Sequence, residues 1–310
     1  VKFNNLLFLA IMVSIGLMTN ACKDDDGCTV STWYQDADED GLGNADVSQN
    51  ACDQPDGYVS NSSDTDDTTA DVPTLHAAFA EFSDNFDIML DGDEVVLTTN
   101  GFPDHTSPYW SNTTERSAID PMGNTLVTEA ADVNHPMFVE PIVTSHENMA
   151  PGNIDDFNGS YTLRVPVVPS KASSTSATGL GAIGFARSGA MIYNDEEGPN
   201  VPLDDAVGSL DLSGAHTGPQ SYHYHLEPKN WSDDDDKLIG IISDGFFLYG
   251  RKCSSTGTYP TDLDASGGHT STTQHATGEE YHYHIQNDLY LNAYYILFPG
   301  DYQGTPNDIQ

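Results

Sequence analysis

The sequence predicts an all-β fold, a sandwich or partly closed barrel built on an internal duplication, preceded by a small Asp-rich module of calcium type. Three observations lead there. The apolar segments are short, rich in β-branched and aromatic residues, and punctuated by Gly, Pro, Asn and Asp, which is the chemistry of strands and turns. Three blocks of the chain recur in the same order. One early segment is so poor in aliphatic residues that burial alone could not fold it. The chain has 310 residues, 37% hydrophobic and 10% aromatic, enough for a real core. It carries 48 Asp+Glu against 10 Lys+Arg, a formal charge of −38. That balance excludes a nucleic-acid partner, which needs basic patches, and electrostatic docking on an anionic membrane. It suits an extracytoplasmic surface or sites for hard cations.

Residues 1–21 read as a secretory signal peptide: Lys2 is the positive start and Leu6 to Met18 the apolar stretch. Thr19-Asn20-Ala21-Cys22 resembles a bacterial lipobox, in which Cys22 takes the lipid; ordinary cleavage near Ala21 with a secreted product is the alternative. Lys23-Asp24-Asp25-Asp26 completes a tether over 22–26. It resembles the surface-export tag of Bacteroidota lipoproteins, or is a plain solvated spacer. The implied location is the bacterial cell surface or outer membrane, held by lipid, or the extracellular space. In an oxidising compartment Cys28 and Cys52 are a default disulfide, and Cys253 is left over.

Residues 27–73 form the acidic module. Asp36, Asp38 and Asp40 alternate ahead of Gly41, the first half of a calcium loop in which alternate oxygens converge while Gly makes the turn. Val47 stands where an EF-hand has its Glu, and Asp64, Asp66 and Asp67 can supply the missing oxygens. Trp33 to Gly43, Cys52, Pro55 to Val59 and Asp64 to Asp67 together resemble thrombospondin type 3 and MopE-type repeats, which implies a calcium-stabilised stalk. An acidic linker without fixed structure is the alternative.

Residues 74–310 hold the duplication. Ile183 to Tyr193 aligns with Ile239 to Tyr249, Leu210 to Thr217 with Leu263 to Thr270, and Tyr222 to His225 with Tyr281 to His284, at offsets of 56, 53 and 59. The duplicated units are thus 183–226 and 239–285. In Tyr-His-Tyr-His the strand period of two sends both His to one face and both Tyr to the other. His216 and His269 lie upstream of each pair after a Ser-Gly-x turn. Each half therefore offers three imidazoles: His216, His223 and His225, or His269, His282 and His284. Neutral imidazole suits a transition metal, with copper or zinc favoured. Asp211 and Asp264 are placed to orient the upstream His or to ligate. His105, at the end of an expected strand, is a candidate to join the cluster. A Tyr/His hydrogen-bond network and metal-free acid–base chemistry remain open alternatives. His76, His135, His146 and His275 have no repeat partner and read as surface or packing residues.

These blocks, with Pro228, Asp244-Gly245-Phe246, Tyr249-Gly250 and the upstream Asn100-Gly101-Phe102-Pro103-Asp104-His105, resemble the YHYH domain family over roughly residues 87–300. The resemblance implies a domain and no particular activity. The family often has Cys-Asn ahead of Gly-His, where this chain has Ser213-Gly214 and Ser266-Gly267.

Elsewhere, Met89 to Leu97 reads as a hairpin turning at Asp91-Gly92, Leu75 to Phe86 as a short helix with Leu75, Phe79, Phe82 and Phe86 on one face, Ser170 to Thr178 as a mobile loop, and 290–298 as a buried strand. The chain carries no nucleophile elbow, P-loop, dinucleotide fingerprint or HExxH, so these motifs assign no reaction. Two functions stay in play. One is a surface lipoprotein that binds a transition metal, with metal ions and the outer membrane as its partners. The other is a structural surface protein, an adhesin or fibre subunit stabilised by calcium and His/Tyr networks, with self-assembly or a surface partner.

Overall fold

The computed structural model describes residues 30–68, 73–110, 140, 159–218, 221–276 and 278–310. The expected signal peptide, Cys22, the tether and Cys28 lie outside the described residues, as do His135 and His146. The chain divides into two compact units, Val1–Val72 and Pro73–Gln310. Among the described residues no helix is long and apolar enough to cross a membrane.

The first unit is a small antiparallel sheet of β1 (Ser31–Gln35), β2 (Asn44–Ala51) and β3 (Tyr58–Val59), with β1 in the middle. The Asp-rich loop joins β1 to β2. Its reversal uses positive φ at Glu39 (63°) and Gly41 (88°), the second without cost because glycine has no Cβ.

The second unit is all-β, as its turn-punctuated apolar runs require. A three-stranded antiparallel sheet joins β4 (Phe86–Asp91), β5 (Glu94–Thr99) and β6 (Tyr161–Pro166). Residues Gly92 and Asp93 turn the first hairpin, with Gly92 at φ 67°, so the turn sits one residue beyond the expected one. The larger sheet has eight strands: β7 (Gly184–Ala186), β8 (Met191–Ile192), β11 (Ala215–Thr217), β12 (Tyr222–Tyr224), β13 (Leu238–Ile242), β14 (Phe247–Tyr249), β15 (Gly268–Thr272) and β16 (Glu279–His284). Between β8 and β11 lies a separate two-stranded ribbon, β9 (Glu196–Gly198) and β10 (Val201–Pro202).

The order of the large sheet is β11-β12-β8-β7-β13-β14-β16-β15. It reads as two copies of one four-strand unit, back to back. Register supports this residue by residue. Ile192 pairs with Tyr224 in parallel, and Leu248 with Tyr283. Ala215 pairs with Tyr224, and Gly268 with Tyr283. At the join, Gly184 faces Ile242, Phe185 faces Ile241 and Ala186 faces Gly240. Residues 184 and 240 are repeat equivalents, so this pairing maps onto itself when the halves are exchanged. A pseudo-two-fold axis therefore passes between Phe185 and Ile241. The sheet ends on β11 and β15 and does not close, which removes the barrel and leaves the sandwich.

One face of the eight-stranded sheet packs on the small sheet. Phe185, Met191, Ile241, Phe247 and Tyr249 meet Val95, Leu97, Leu163 and Val165 in one buried cluster. The opposite face buries Ile192, Tyr222, Tyr224, Ile242, Leu248 and Tyr283 under Tyr109, Trp110, Leu297 and Phe298. Alternation then sets the histidines. With Tyr222, Tyr224 and Tyr283 on the second face, the intervening His residues emerge on the first, toward the two lateral ends of the sheet.

Two expectations are corrected, and one segment is a loop as expected. The helix over 75–86 is a short 3-10 segment at Ala77–Glu81; Phe86 already belongs to β4, and Phe79, Phe82 and Phe86 meet in series through tilted and edge-on contacts instead. Residues 290–298 form no strand; they make isolated bridges, and only Leu297 and Phe298 are deeply buried. The 170–178 segment is a loop, tied to the C-terminal segment by Ala172 N–H to Gln303 O and by a two-bond bridge between Ser176 and Tyr302.

The dyad requires glycine at its centre. A Cβ on Gly240 would sit 2.1 Å from Phe185 O, and one on Gly184 2.4 Å from Ile241 O. Overpacking of this kind costs about 1–3 kcal/mol. Gly240→Ala should therefore lower unfolding free energy in denaturant by at least about 1 kcal/mol. Gly278→Ala, with nothing within 4 Å of the added atom, is the control. Equal stability of the two variants would contradict the central packing.

Candidate metal centres

The six repeat histidines gather into two clusters, one per half. His216, His223 and His225 bring one nitrogen each within 4.8 Å of one another; His269, His282 and His284 do the same, joined by Cys253. All are buried, with His225 at 1% and His284 at 2% exposure. The clusters sit on β11/β12 and β15/β16, six strand spacings apart. At about 4.8 Å per strand this is of the order of 25–30 Å, so they are two separate sites.

Strand register builds each cluster. His216 is directly opposite His223 across β11/β12, and His269 is opposite His282 across β15/β16. The third histidine follows two residues along the same strand. The Ser-Gly turn before the upstream His needs positive φ, 68° at Gly214 and 83° at Gly267.

Hydrogen bonds then aim the rings, and the same bonds occur in both halves. His225 Nδ1 lies 2.7 Å from Asn194 O, and His284 Nδ1 lies 2.7 Å from Gly250 O. His223 Nδ1 lies 3.3 Å from Ser221 O, and His282 Nδ1 lies 3.0 Å from Glu280 O. A carbonyl can only accept, so each of these Nδ1 atoms carries the proton. His216 Nδ1 lies 2.8 Å from Ser209 Oγ, whose own proton goes to Ala206 O; His269 Nδ1 lies 2.9 Å from Asp262 Oδ1. These too make Nδ1 the donor. Every ring therefore turns Nε2 inward as an acceptor, and His269 Nε2 has the Ser271 hydroxyl at 3.3 Å beside it. His216 Nε2 and His223 Nε2 are 3.0 Å apart, and His282 Nε2 and His284 Nε2 are 3.1 Å apart. With Nδ1 protonated on both rings, no proton lies between either pair. His225 Nε2 is buried with no hydrogen-bond partner. Facing acceptors out of water cost free energy unless a cation sits among them.

Four of the rings are held neutral. Burial pushes His225 and His282 down to about 4 and His284 to about 3; it also holds His223 well below the usual imidazole value, with His216 and His225 adding to the effect. Neutral imidazole with a free lone pair is the form that ligates metal.

A fourth donor stands beside each triad. Cys253 Sγ is 3.6 Å from His269 Nε2. Glu197 Oε1 is 3.3 Å from His216 Nε2 and 3.6 Å from His225 Nε2. Burial raises the Glu197 carboxyl above its usual range. Sequence reasoning missed both donors. The available signal was the repeat offset itself: residues 197 and 253 are 56 apart, as are Ile183 and Ile239.

Asp211 and Asp264 are elsewhere than expected. Neither approaches the histidines; both serve the tyrosine face and the turn. Asp211 accepts from Tyr222 OH (2.6 Å), Ser107 Oγ (2.6 Å) and Ser213 N (2.8 Å). Asp264 accepts from Tyr281 OH (3.0 Å), Ser266 N (3.0 Å) and Gly268 N (3.1 Å). The residues that orient the upstream histidines are Ser209 and Asp262 instead. His105 also stays out of the cluster, because it contacts the opposite face of β12. Its Nδ1–H donates to Thr106 O (2.9 Å), and its Nε2 accepts from Tyr224 OH (2.6 Å). Tyr283 OH donates to Asp244 Oδ2 at 2.6 Å. His76 accepts from Ala78 N at the 3-10 turn, and His275 bridges Tyr249 OH and Glu81.

In the first unit, Asp36, Asp38 and Asp40 form one carboxylate group, and Asp38, Asp64 and Asp67 another. Asp36 accepts from Asp40 N and Gly41 N, both at 3.1 Å, which curls the loop. Both oxygens of Asp38 are shielded from solvent with no hydrogen-bond donor. Desolvation, with repulsion from Asp40, Asp64 and Asp67, raises its pKa. Asp66 accepts from the Thr68 hydroxyl and is outside these groups. Cys28 is not among the described residues, so its pairing with Cys52 stays an expectation.

The family model described as "YHYH protein" matches residues 162–261, roughly a third of the chain. The match includes the first histidine triad, Glu197 and Cys253, and stops ahead of His269. No curated protein and no solved structure matches.

His105 offers a pH test away from the metal candidates. Burial lowers its pKa to about 4 from 6.5. The folded form thus resists a proton that the unfolded chain accepts. Stability is full above pH 6.5 and is lost as pH falls toward 4. Between pH 7 and 4.5 this one group removes about 2–3 kcal/mol, at 1.36 kcal/mol per pKa unit. His105→Gln should be less stable than the native chain at pH 7 and lose correspondingly less on acidification to 4.5. Parallel losses in both proteins would contradict the buried neutral assignment.

Proposed function

We propose that this chain is an extracytoplasmic surface protein that holds two transition-metal ions, copper or zinc, one in each half of its duplicated domain. The observation that carries the reading is the bonding of the six rings. Each donates Nδ1–H outward, so three Nε2 lone pairs meet at each site, an arrangement that one bound cation would satisfy together. The donor sets also bear on what the metal does. Three imidazoles with an adjacent thiolate or carboxylate make a filled four-donor shell, which suits holding or carrying a metal more than hydrolytic chemistry at an open position.

The N-terminal acidic loop takes calcium in the same reading, with Asp36, Asp38, Asp40, Asp64 and Asp67 as donors. The partnerless oxygens of Asp38 support this. Calcium there offsets the small core of a unit that has few aliphatic residues. The Cys28–Cys52 disulfide would staple the same unit. Sequence supports delivery by the signal over 1–21 and anchoring to the outer membrane through lipid on Cys22.

A structural surface role, as an adhesin or fibre subunit, is the second reading. The buried Tyr–Asp bonds on the opposite face, Tyr222 to Asp211 and Tyr283 to Asp244, favour it, since they tie strands together without any ligand.

Elemental analysis of purified protein separates the two. The metal reading expects about two transition-metal ions per chain, falling to about one in either His223→Ala/His225→Ala or His282→Ala/His284→Ala, and to none in the quadruple variant. Calcium should be lost in Asp38→Ala alone. Transition metal absent from the native protein, or indifferent to these changes, would leave the structural reading.

A further inference from the structure

The duplication has diverged at a position beside the two histidine triads. Glu197 and Cys253 are repeat equivalents by the same 56-residue offset that relates Asn194 to Gly250, whose carbonyls hold His225 and His284. They also approach equivalent rings. Glu197 Oε1 is 3.3 Å from His216 Nε2, and Cys253 Sγ is 3.6 Å from His269 Nε2. Both follow an equivalent strand, β8 or β14. Both lie in the first arm of a short ribbon, the β9/β10 pair in one half and the Cys253–Thr258 bridge in the other. Cys253 is 1% exposed, and it is the free cysteine among the described residues. Ser255 Oγ at 3.1 Å and Ser271 Oγ at 3.4 Å flank its sulfur and can donate to a thiolate.

Resting on the reading that the histidine triads hold metal, we propose that the two centres take different ions. The Cys253 centre is a thiolate–imidazole site for copper, and the Glu197 centre is a carboxylate–imidazole site for a harder divalent ion of the zinc class. The reason is ligand softness. Thiolate selects Cu(I) and stabilises its bonds by charge donation, whereas a carboxylate offers nothing to a soft monovalent ion and favours zinc-like divalent ones. Ser209 and Asp262 sharpen the contrast. The upstream ring is backed by a neutral hydroxyl in the Glu197 half and by a carboxylate in the Cys253 half, so a charge-assisted hydrogen bond fixes His269 where a neutral one fixes His216. The protein therefore carries a soft and a hard site at opposite ends of one sheet.

Cobalt(II) reports the ligands directly, because a thiolate ligand gives it an intense near-ultraviolet charge-transfer band that imidazole and carboxylate do not. Metal-free full-length protein under anaerobic conditions should bind two cobalt ions, with a thiolate band worth one of them. Cys253→Ser should lose that band while keeping the visible ligand-field bands of the other ion. Glu197→Gln should keep the band and weaken the other ion at least tenfold. One equivalent of Cu(I) should displace the cobalt that carries the band and spare its neighbour. Two bound cobalt ions without a thiolate band, a band that survives in Cys253→Ser, or Cu(I) that displaces both alike would overturn the proposal and leave the histidine sites standing. Binding of neither cobalt, zinc nor copper would overturn the histidine reading beneath it. Cys253→Ala serves if the serine variant does not fold, and the native spectrum decides the presence of the band without any variant.

Discussion

Six imidazole protons pointing the wrong way for one another define this protein. A buried histidine pair normally shares a proton, one ring donating and the other accepting. Here each Nδ1–H is claimed by a backbone carbonyl, a serine oxygen or a carboxylate, and the Nε2 atoms are left to face inward as acceptors. The sandwich bears that cost in a region it has made dry. Two of the claiming carbonyls, Asn194 O and Gly250 O, are at the ends of β8 and β14, which the parallel pairing with β12 and β16 brings beside the His-x-His strands. The pairing that makes the sheet thus also sets the tautomers.

The pseudo-dyad explains why there are two sites and why they stand apart. Joining two four-strand units through β7 and β13 puts the edge strands β11 and β15 at opposite ends, and the upstream histidines go with them. The three-stranded sheet covers the middle of the face they share. A duplicated cluster that is never bridged is free to diverge, and Glu197 against Cys253 and Ser209 against Asp262 are divergences that touch the histidines. The tyrosine face shows the same pattern. Tyr224 OH meets Ser188 and His105, whereas Tyr283 OH meets Asp244, the residue equivalent to Ser188.

Much of this is written in local sequence. The period of two in Tyr-His-Tyr-His is enough to place both His on one face, and the recurring blocks are enough to require two halves. What the sequence hides is anything that depends on which way a short loop turns. Asp211 and Asp264 sit five residues before their histidines, but the Asp-x-Ser-Gly turn sends their carboxylates to the tyrosines. Ser209 and Asp262, seven residues before, do the orienting, and their difference in chemistry conceals the equivalence. Glu197 and Cys253 are concealed the same way. Residues 290–298 look like a strand because they are apolar, yet Leu291 (φ 49°) and Asn292 (φ 59°) take left-handed backbone that interrupts it, and Tyr290 and Tyr294 bond to each other as a turn. The 75–86 segment has helical spacing, but it is short and ends at Phe82, whose extended backbone leads into β4.

The central claim is that three Nε2 atoms in each half close on one ion. Anomalous diffraction at the absorption edge of a transition metal, from crystals of protein loaded with that metal, tests it most directly. The account predicts two strong peaks per chain, one on β11/β12 and one on β15/β16, each about 2.0–2.1 Å from three imidazole Nε2 atoms. Peaks bonded to Nδ1, a single peak shared between the halves, or density at surface carboxylates alone would contradict it.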